Sequence, residues 1–245
     1  MMTPLEKESL PLKLAAKLRS RIAAGSWVAG ARLPAEREIA QQFAVSRSVV
    51  REAYTILAAQ GVIYTRQGGG AFVCESLGET AFDAVPFVLP AGERTLLELM
   101  VVRKSIEPAA AELAATRGSE EELRAIEYAA QAIEGASSLE DKITAGILFH
   151  LAVARASGNR LMIRIIASLL DLVVASHRIT LNTVEGHIEG VIDHDAIGRA
   201  IRSRRPAEAR KAMWEHLCHT ERLLHPGAAQ TSNSKPGRAP RRAQR

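Results

Sequence analysis

The stretch from Leu33 to Val73 constrains the fold more than any other part of the chain. Pro34 stands where the first turn of a helix tolerates it, and Glu36 to Phe43 follow as a short helix. Ala35 offers that helix no side-chain cap. Ala44-Val45 form a turn, and Ser46 is a good N-cap for a further helix that runs to about Gln60 and stops at Gly61. Its Val49, Val50, Ala53, Ile56 and Leu57 share a core face, while Arg47, Ser48 and Arg51 fall on the exposed side near its start. Val62-Ile63-Tyr64 and Ala71-Phe72-Val73 then read as two short strands around Gln67-Gly68-Gly69-Gly70. Upstream, Leu14, Leu18 and Ile22 mark one stripe of a helix over residues 10–24. Helix, tight turn, helix and hairpin in this order present one helix to a DNA major groove and a loop to the flanking groove.

The side chains fit that use. Arg47 and Arg51 are four residues apart and share a helix face, and arginine matches both guanine edges and phosphates. Ser46, Ser48 and the helix N-terminus suit phosphate oxygens. A glycine-rich tip beside Arg66 and Gln67 allows close backbone approach to a groove. Charge is also uneven: residues 1–75 carry +4, residues 76–225 carry −4 and residues 226–245 carry +5. A basic front end joined to an acidic body suggests a polyanion-binding module attached to a different domain.

The remainder reads as helical, with segments near 94–117, 119–135, 139–156, 159–181, 188–203 and 206–224. Residues 76–92, with Pro86, Pro90 and Gly92, form the expected connection. Leu161 to Val174 is apolar almost all round and is expected at the buried centre of a bundle. The tail, 226–245, is Gly, Ser, Pro and Arg without apolar periodicity and is expected to be disordered. The expected architecture is mainly α. A winged helix-turn-helix occupies 1–75, a linker 76–92, and an antiparallel bundle of six to seven helices 93–225. Cys74 and Cys218 lie far apart and fit no metal or redox spacing, so they are expected to be reduced bystanders. No signal peptide or membrane span is expected, which places the chain in the cytoplasm.

Written out from Leu33, the pattern LP-x-ER-x-x-A-x-x-F-x-VSR-x-x-VREA-x-x-x-L-x-x-x-G-x-I-x-x-x-x-G-x-GAFV resembles the signature of the GntR family. The resemblance implies a bacterial repressor or activator that binds a short palindromic operator in double-stranded DNA as a homodimer. It implies DNA contacts from Arg37, Ser46, Arg47, Ser48, Arg51, Gln67 and Gly68. Tyr54 stands where leucine is usual and is expected to be a packing variant.

The second half is similar to the FadR-type (FCD) effector domain of this family. Val102-Arg103-x-x-x-Glu107, Phe149-His150 followed by Ala156-Ser157-Gly158-Asn159, His194-x-x-Ile197 and Met213-x-x-His216 carry the likeness. The resemblance implies a small carboxylate effector and a divalent metal, zinc or nickel, held by His150, His194 and His216. A fourth ligand, an aspartate four residues before the first histidine, is replaced here by Gly146. Asp141 does not stand in, because nine residues back lies on the opposite helix face. Arg103 has two readings: holding the anionic effector, or an i,i+4 pair with Glu107 that supports its own helix. A competing function, a metal-dependent hydrolase with an accessory DNA-binding module, rests on the dipeptide His194-Asp195 alone. No nucleophile motif or phosphate loop supports it, and the expected reading is a regulator, not an enzyme.

Overall fold

The computed structural model describes residues 9–66, 69–74 and 92–225. The expected connection at 76–92, apart from Gly92, and the tail at 226–245 lie outside the described residues, as do Gln67 and Gly68.

The N-terminal elements are α1 (Leu10–Ala23), α2 (Glu36–Phe43), α3 (Arg47–Ala59), β1 (Ile63–Arg66) and β2 (Gly70–Val73). Leu14, Leu18 and Ile22 of α1 bury their stripe against α3, which supplies Val50, Ala53, Ile56 and Leu57. Glu38 replaces the missing cap of α2 from inside the helix: its carboxylate accepts the Ala35 N–H at 2.9 Å. Ala44 takes a left-handed conformation, φ 52°, which turns the chain sharply between α2 and α3. Ser46 caps α3 through the Val49 N–H. Gly61 ends the helix region at φ +72°.

The two strands pair antiparallel with Ile63 opposite Val73, Tyr64 opposite Phe72 and Thr65 opposite Ala71. Residues 31–33 border β2, with the Leu33 N–H donating to the Ala71 carbonyl at 2.8 Å. Tyr64 and Phe72 stack with ring centroids 5.5 Å apart, and the Arg66 guanidinium lies over Phe72. The first strand starts one residue and ends two residues later than expected and the second starts one residue earlier, because the ladder continues through Thr65 and Arg66 toward the glycines, while the second ends at Val73 as expected.

The C-terminal helices are α4 (Glu93–Arg117), α5 (Glu120–Gly135), α6 (Leu139–Ala156), α7 (Arg160–Ser168), α8 (Leu170–Thr180), α9 (Val184–Arg202) and α10 (Pro206–Leu224). Side chains of Ser119, Ser138, Asn159 and Thr183 cap α5, α6, α7 and α9. Helix α10 lies against α4 and α9, α5 against α6 and α9, and α4 crosses α6, so α4, α6, α9 and α10 surround one interior.

One expectation needs correction. The segment 159–181 is not one buried helix: it breaks at Leu169, which closes α7 and opens α8. Leu161 is exposed, and α7 packs one face only, on α6, α4 and the end of α3. The near-continuous apolar run serves two surfaces in turn, first an interdomain contact and then the bundle core.

Contacts between the two halves centre on α6. The Ser9 hydroxyl, at the start of α1, hydrogen-bonds the Thr144 hydroxyl on α6. Arg155, near the other end of α6, donates to the Thr55 carbonyl on α3 at 3.0 Å. A Cβ at Gly61 would fall 2.6 Å from the Arg164 guanidinium, so α7 sits directly on the turn that follows α3.

Candidate nucleic-acid interface and metal centre

The start of α3 is laid out for an anionic partner. Ser46, Arg47, Ser48 and Arg51 are all exposed, as is Arg37 on α2. Glu36, at the start of α2, stands 3.8 Å from Arg47 and 3.3 Å from Arg51, which holds both guanidinium groups on one side of the helix. Such exposed pairs contribute little to stability and are easily exchanged for phosphate or a base edge. Behind this face, Tyr54 is buried, and its hydroxyl donates to the Pro34 carbonyl at 2.8 Å. Burial pushes its phenol up to about 12, so it remains a donor at all working pH values. The packing role expected of Tyr54 therefore includes a hydrogen bond that leucine would lack.

Inside the bundle, the three expected histidines meet. His150 comes from α6, His194 from α9 and His216 from α10, and one ligand atom of each lies within 4.8 Å of the others. All three are buried. The rings of His194 and His216 are hydrogen-bonded from the Nδ1 side, and His150 Nδ1 makes a close contact with a carboxylate without hydrogen-bond geometry. His150 Nδ1 stands 2.7 Å from a carboxylate oxygen of Glu107, and His194 Nδ1 donates to the Gly190 carbonyl one turn back on its own helix. His216 Nδ1 is 3.4 Å from Asp193, whose carboxylate also accepts from His219 Nδ1 at 2.8 Å. The partners are acceptors, which places the proton on Nδ1 and leaves the Nε2 lone pairs facing inward.

That arrangement suits a cation. His150 Nε2 and His194 Nε2 face each other at 3.4 Å, and His150 Nε2 also meets the Arg103 Nη2 N–H at 3.2 Å. Two nitrogens on a tetrahedral zinc, each at about 2.05 Å, stand roughly 3.3 Å apart. His216 Nε2 is buried without a hydrogen-bond partner. Three imidazoles with anchored rings are a donor set for a borderline divalent ion, so the residues present could hold a metal.

The electrostatics agree. Burial is the main cause that lowers His150, to about 4, with the Glu107 carboxylate opposing it. Burial likewise pushes His194 well below its ordinary value. Both are therefore neutral near pH 7, the form that ligates metal. Burial alone would raise the Glu107 carboxyl, but the Arg103 guanidinium and His150 hold it well below the usual carboxylate range. Burial would raise Asp193 too, and hydrogen bonds from His216 and His219 outweigh it.

Arg103 makes the i,i+4 pair that one of its readings expected. It pairs with Glu107 one turn on, Nε to Oε1 at 2.5 Å, and both side chains are almost fully buried. It also reaches the site, with Nη2 3.2 Å from His150 Nε2 and Nη1 buried without a partner. A buried guanidinium N–H without a partner has the chemistry to donate to an anion.

Sequence reasoning missed three members of this site. Asp193 and Glu107 act behind the histidines, and Glu107 was legible only as a partner of Arg103. His177, on α8, is buried 6.2 Å from His150 between ring centroids. Burial, then the charges of Arg103 and His150, lower it to about 3. The signal available for it was a polar residue one turn after Val173 on an apolar helix face. Asp195, by contrast, is exposed and pairs with Arg199 at 2.9 Å, so the His194-Asp195 dipeptide does not put two adjacent ligands into the site. A surface cleft of about 240 Å³ between α1, α3 and α8 contains none of these histidines.

Among the described residues no helix is long and apolar enough to cross a membrane. Residues 10–73 match the family described as bacterial regulatory proteins, gntR family, and residues 98–219 match the FCD domain. The chain is 31% identical to the Exu regulon transcriptional regulator of Escherichia coli K12, across 89% of this chain and 86% of that one. It is 31% identical to the HTH-type transcriptional regulator LutR of Bacillus subtilis 168, across 80% of this chain and 92% of that one. Among solved structures, Streptococcus agalactiae GntR superposes with a TM-score of 0.52 at 28% identity, covering 86% of this chain and 99% of that one. These relatives are transcriptional regulators, not enzymes. With a helix-turn-helix and hairpin matching over 10–73 and an FCD bundle behind it, the chain belongs to the GntR family of bacterial transcriptional regulators.

Proposed function

We propose that the chain is an effector-controlled regulator that binds a palindromic operator as a homodimer and senses a small organic acid through a metal held in the bundle. The observation that carries this reading is the course of α6. It brings His150 to the buried site and, five residues later, Arg155 to the backbone of α3, whose opposite end carries Arg47 and Arg51. A change at the site is thereby passed to the placement of the DNA-reading helix.

Arg37, Ser46, Arg47, Ser48 and Arg51, with Gln67 and Gly68 at the tip, are the proposed DNA contacts. His150, His194 and His216 are the proposed ligands of zinc or nickel, which when bound would supply positive charge and open positions for a carboxylate. Arg103, through its unpartnered Nη1, is the proposed second anchor for that carboxylate. The domains are proposed to join through 76–92. Val101 and Val102 on α4 and Trp214 on neighbouring α10 are exposed apolar side chains, which favours a second copy covering this face. Repression is the proposed sense, because effector-induced displacement of the two reading helices releases DNA.

The test is a footprint on the DNA beside the gene, repeated with small carboxylates and with the protein stripped of and reloaded with zinc. A palindromic footprint that a carboxylate weakens only in the metal-loaded protein supports the reading. A footprint indifferent to every acid and to metal refutes the sensing half.

A further inference from the structure

Gly146 lies one turn before His150 on the inward face of α6, the position from which a side chain would reach the same ion as His150. A Cβ built there would meet nothing within 4 Å except His177: Nε2 at 3.2 Å and Cδ2 at 3.6 Å. The space a residue at 146 would use is therefore bordered by one imidazole edge, offered from α8.

That imidazole is prepared in the same way as His194. His177 Nδ1 donates to the Val173 carbonyl, 2.8 Å away and one turn back, as His194 does to Gly190. The proton is thus on Nδ1 and the Nε2 lone pair is bare. No hydrogen bond of His177 Nε2 is found among the described residues. Two imidazoles on one tetrahedral zinc have nitrogens about 2.1 Å from the ion and ring centroids about 1.1 Å further out, so their centroids stand roughly 5.2 Å apart. His150 to His194 and His150 to His216, each 5.3 Å, match that spacing, and His150 to His177, at 6.2 Å, needs its ring to close by about 1 Å. His177 is outside the 4.8 Å cluster formed by the other three, and the absent side chain at 146 leaves its ring room to close on them.

We infer that His177 is a fourth nitrogen donor to the divalent ion, supplied from α8 in place of a side chain at position 146. The inference rests on the metal reading of the preceding section. It makes the site four imidazoles and no carboxylate, so the bound ion keeps its full positive charge toward an anionic effector. Ions that favour nitrogen, nickel and zinc among them, fit this set better than magnesium or calcium.

Cobalt(II), whose visible spectrum reports its ligands, is titrated into the metal-free full chain, with zinc affinity read by chelator competition. Wild type is expected to take one equivalent. His177→Ala should bind at least tenfold more weakly, with a shifted cobalt band, and His150→Ala should lose binding altogether. Gly146→Asp combined with His177→Ala should recover affinity to within about threefold of wild type, because the carboxylate then has the space and the role. Long-range proton–nitrogen spectra of the wild type, needing no variant, should show four imidazole Nε2 resonances moving on zinc addition. Three moving resonances, with His177→Ala matching wild type in affinity and spectrum, overturn the inference while the three-histidine site stands. Failure of the wild type to bind either metal overturns both.

Discussion

Glu107→Gln isolates what the buried carboxylate contributes, because glutamine keeps the size and one acceptor oxygen while removing the charge. Glu107 accepts from Arg103 Nε at 2.5 Å and Nη2 at 3.3 Å, and also faces His150 Nδ1 at 2.7 Å. The side chains of Arg103 and Glu107 are 1% and 3% exposed, so water cannot take over the counter-ion's role. Breaking a buried pair from one side costs about 3–5 kcal/mol, since the remaining charge stays desolvated and uncompensated. For a chain of this size each kcal/mol lowers Tm by about 2–4 °C, which puts the expected fall at roughly 6–20 °C. Urea unfolding of the metal-free protein, followed by far-ultraviolet circular dichroism alongside a thermal scan, measures it. The paired change Arg103→Met with Glu107→Leu removes both charges and should recover most of the loss, because the cost lies in the unpaired ion. A Glu107→Gln protein within about 1 kcal/mol of wild type, or a double variant no more stable than the single one, would refute this reasoning.

Acid should unfold the metal-free protein early. His150, lowered to about 4, and His177, lowered to about 3, are neutral in the fold but take up protons near 6.5 once unfolded. Their contribution is complete above about pH 6.5 and is lost on acidification toward pH 4, with a slope up to about 1.4 kcal/mol per pH unit for each. A urea midpoint that stays flat from pH 7 to pH 5 contradicts this. Arg47→Ala and Arg51→Ala should each weaken operator binding about tenfold to hundredfold, the value of one good bidentate contact, with Tm unchanged. Specific binding at wild-type strength by either variant in a gel-shift titration removes that residue from the interface. Arg155→Ala should leave effector-free operator affinity within a few-fold of wild type. It should also shrink the effector's influence, ordinarily about 5–150-fold for allosteric coupling, toward none. A response of wild-type size dismisses the α6 contact as a relay.

The N-terminal elements were readable because local rules determine them. Ser46 at a cap, Gly61 at a stop and apolar spacing on α3 each specify structure within a few residues, and helix bounds there agree within about two residues. The break at Leu169 was not readable: no glycine or proline marks it, and Leu169 itself caps both helices at φ −91° and ψ 0°. Only packing on two different surfaces requires it. The candidate site divides the same way. His150, His194 and His216 stood out through flanking motifs, whereas His177 lies in an apolar helix where a single imidazole resembles an ordinary core residue. What distinguishes it is the approach of its Nε2 to the side-chain position of Gly146, a relation between α6 and α8 separated by 31 positions in the chain and invisible to spacing. Asp193 was hidden for a similar reason, since its partners His216 and His219 arrive on a later helix.

The 18-residue α6 has one further consequence, a matter of leverage. At 1.5 Å per residue it is a rod about 27 Å long. Pivoting about its middle by roughly 5° sweeps each tip through about 1.2 Å, in opposite directions. The Arg155 contact, 3.0 Å long, does not survive a stretch of that size. The rod's other half carries Thr144, bonded to Ser9 at the start of α1, so a single tilt loosens one attachment to the DNA-reading half while pressing on the other. Such a tilt would turn the reading half rather than merely release it, and at His150, about 4 Å from the middle of the rod, it corresponds to a shift of only about 0.3 Å.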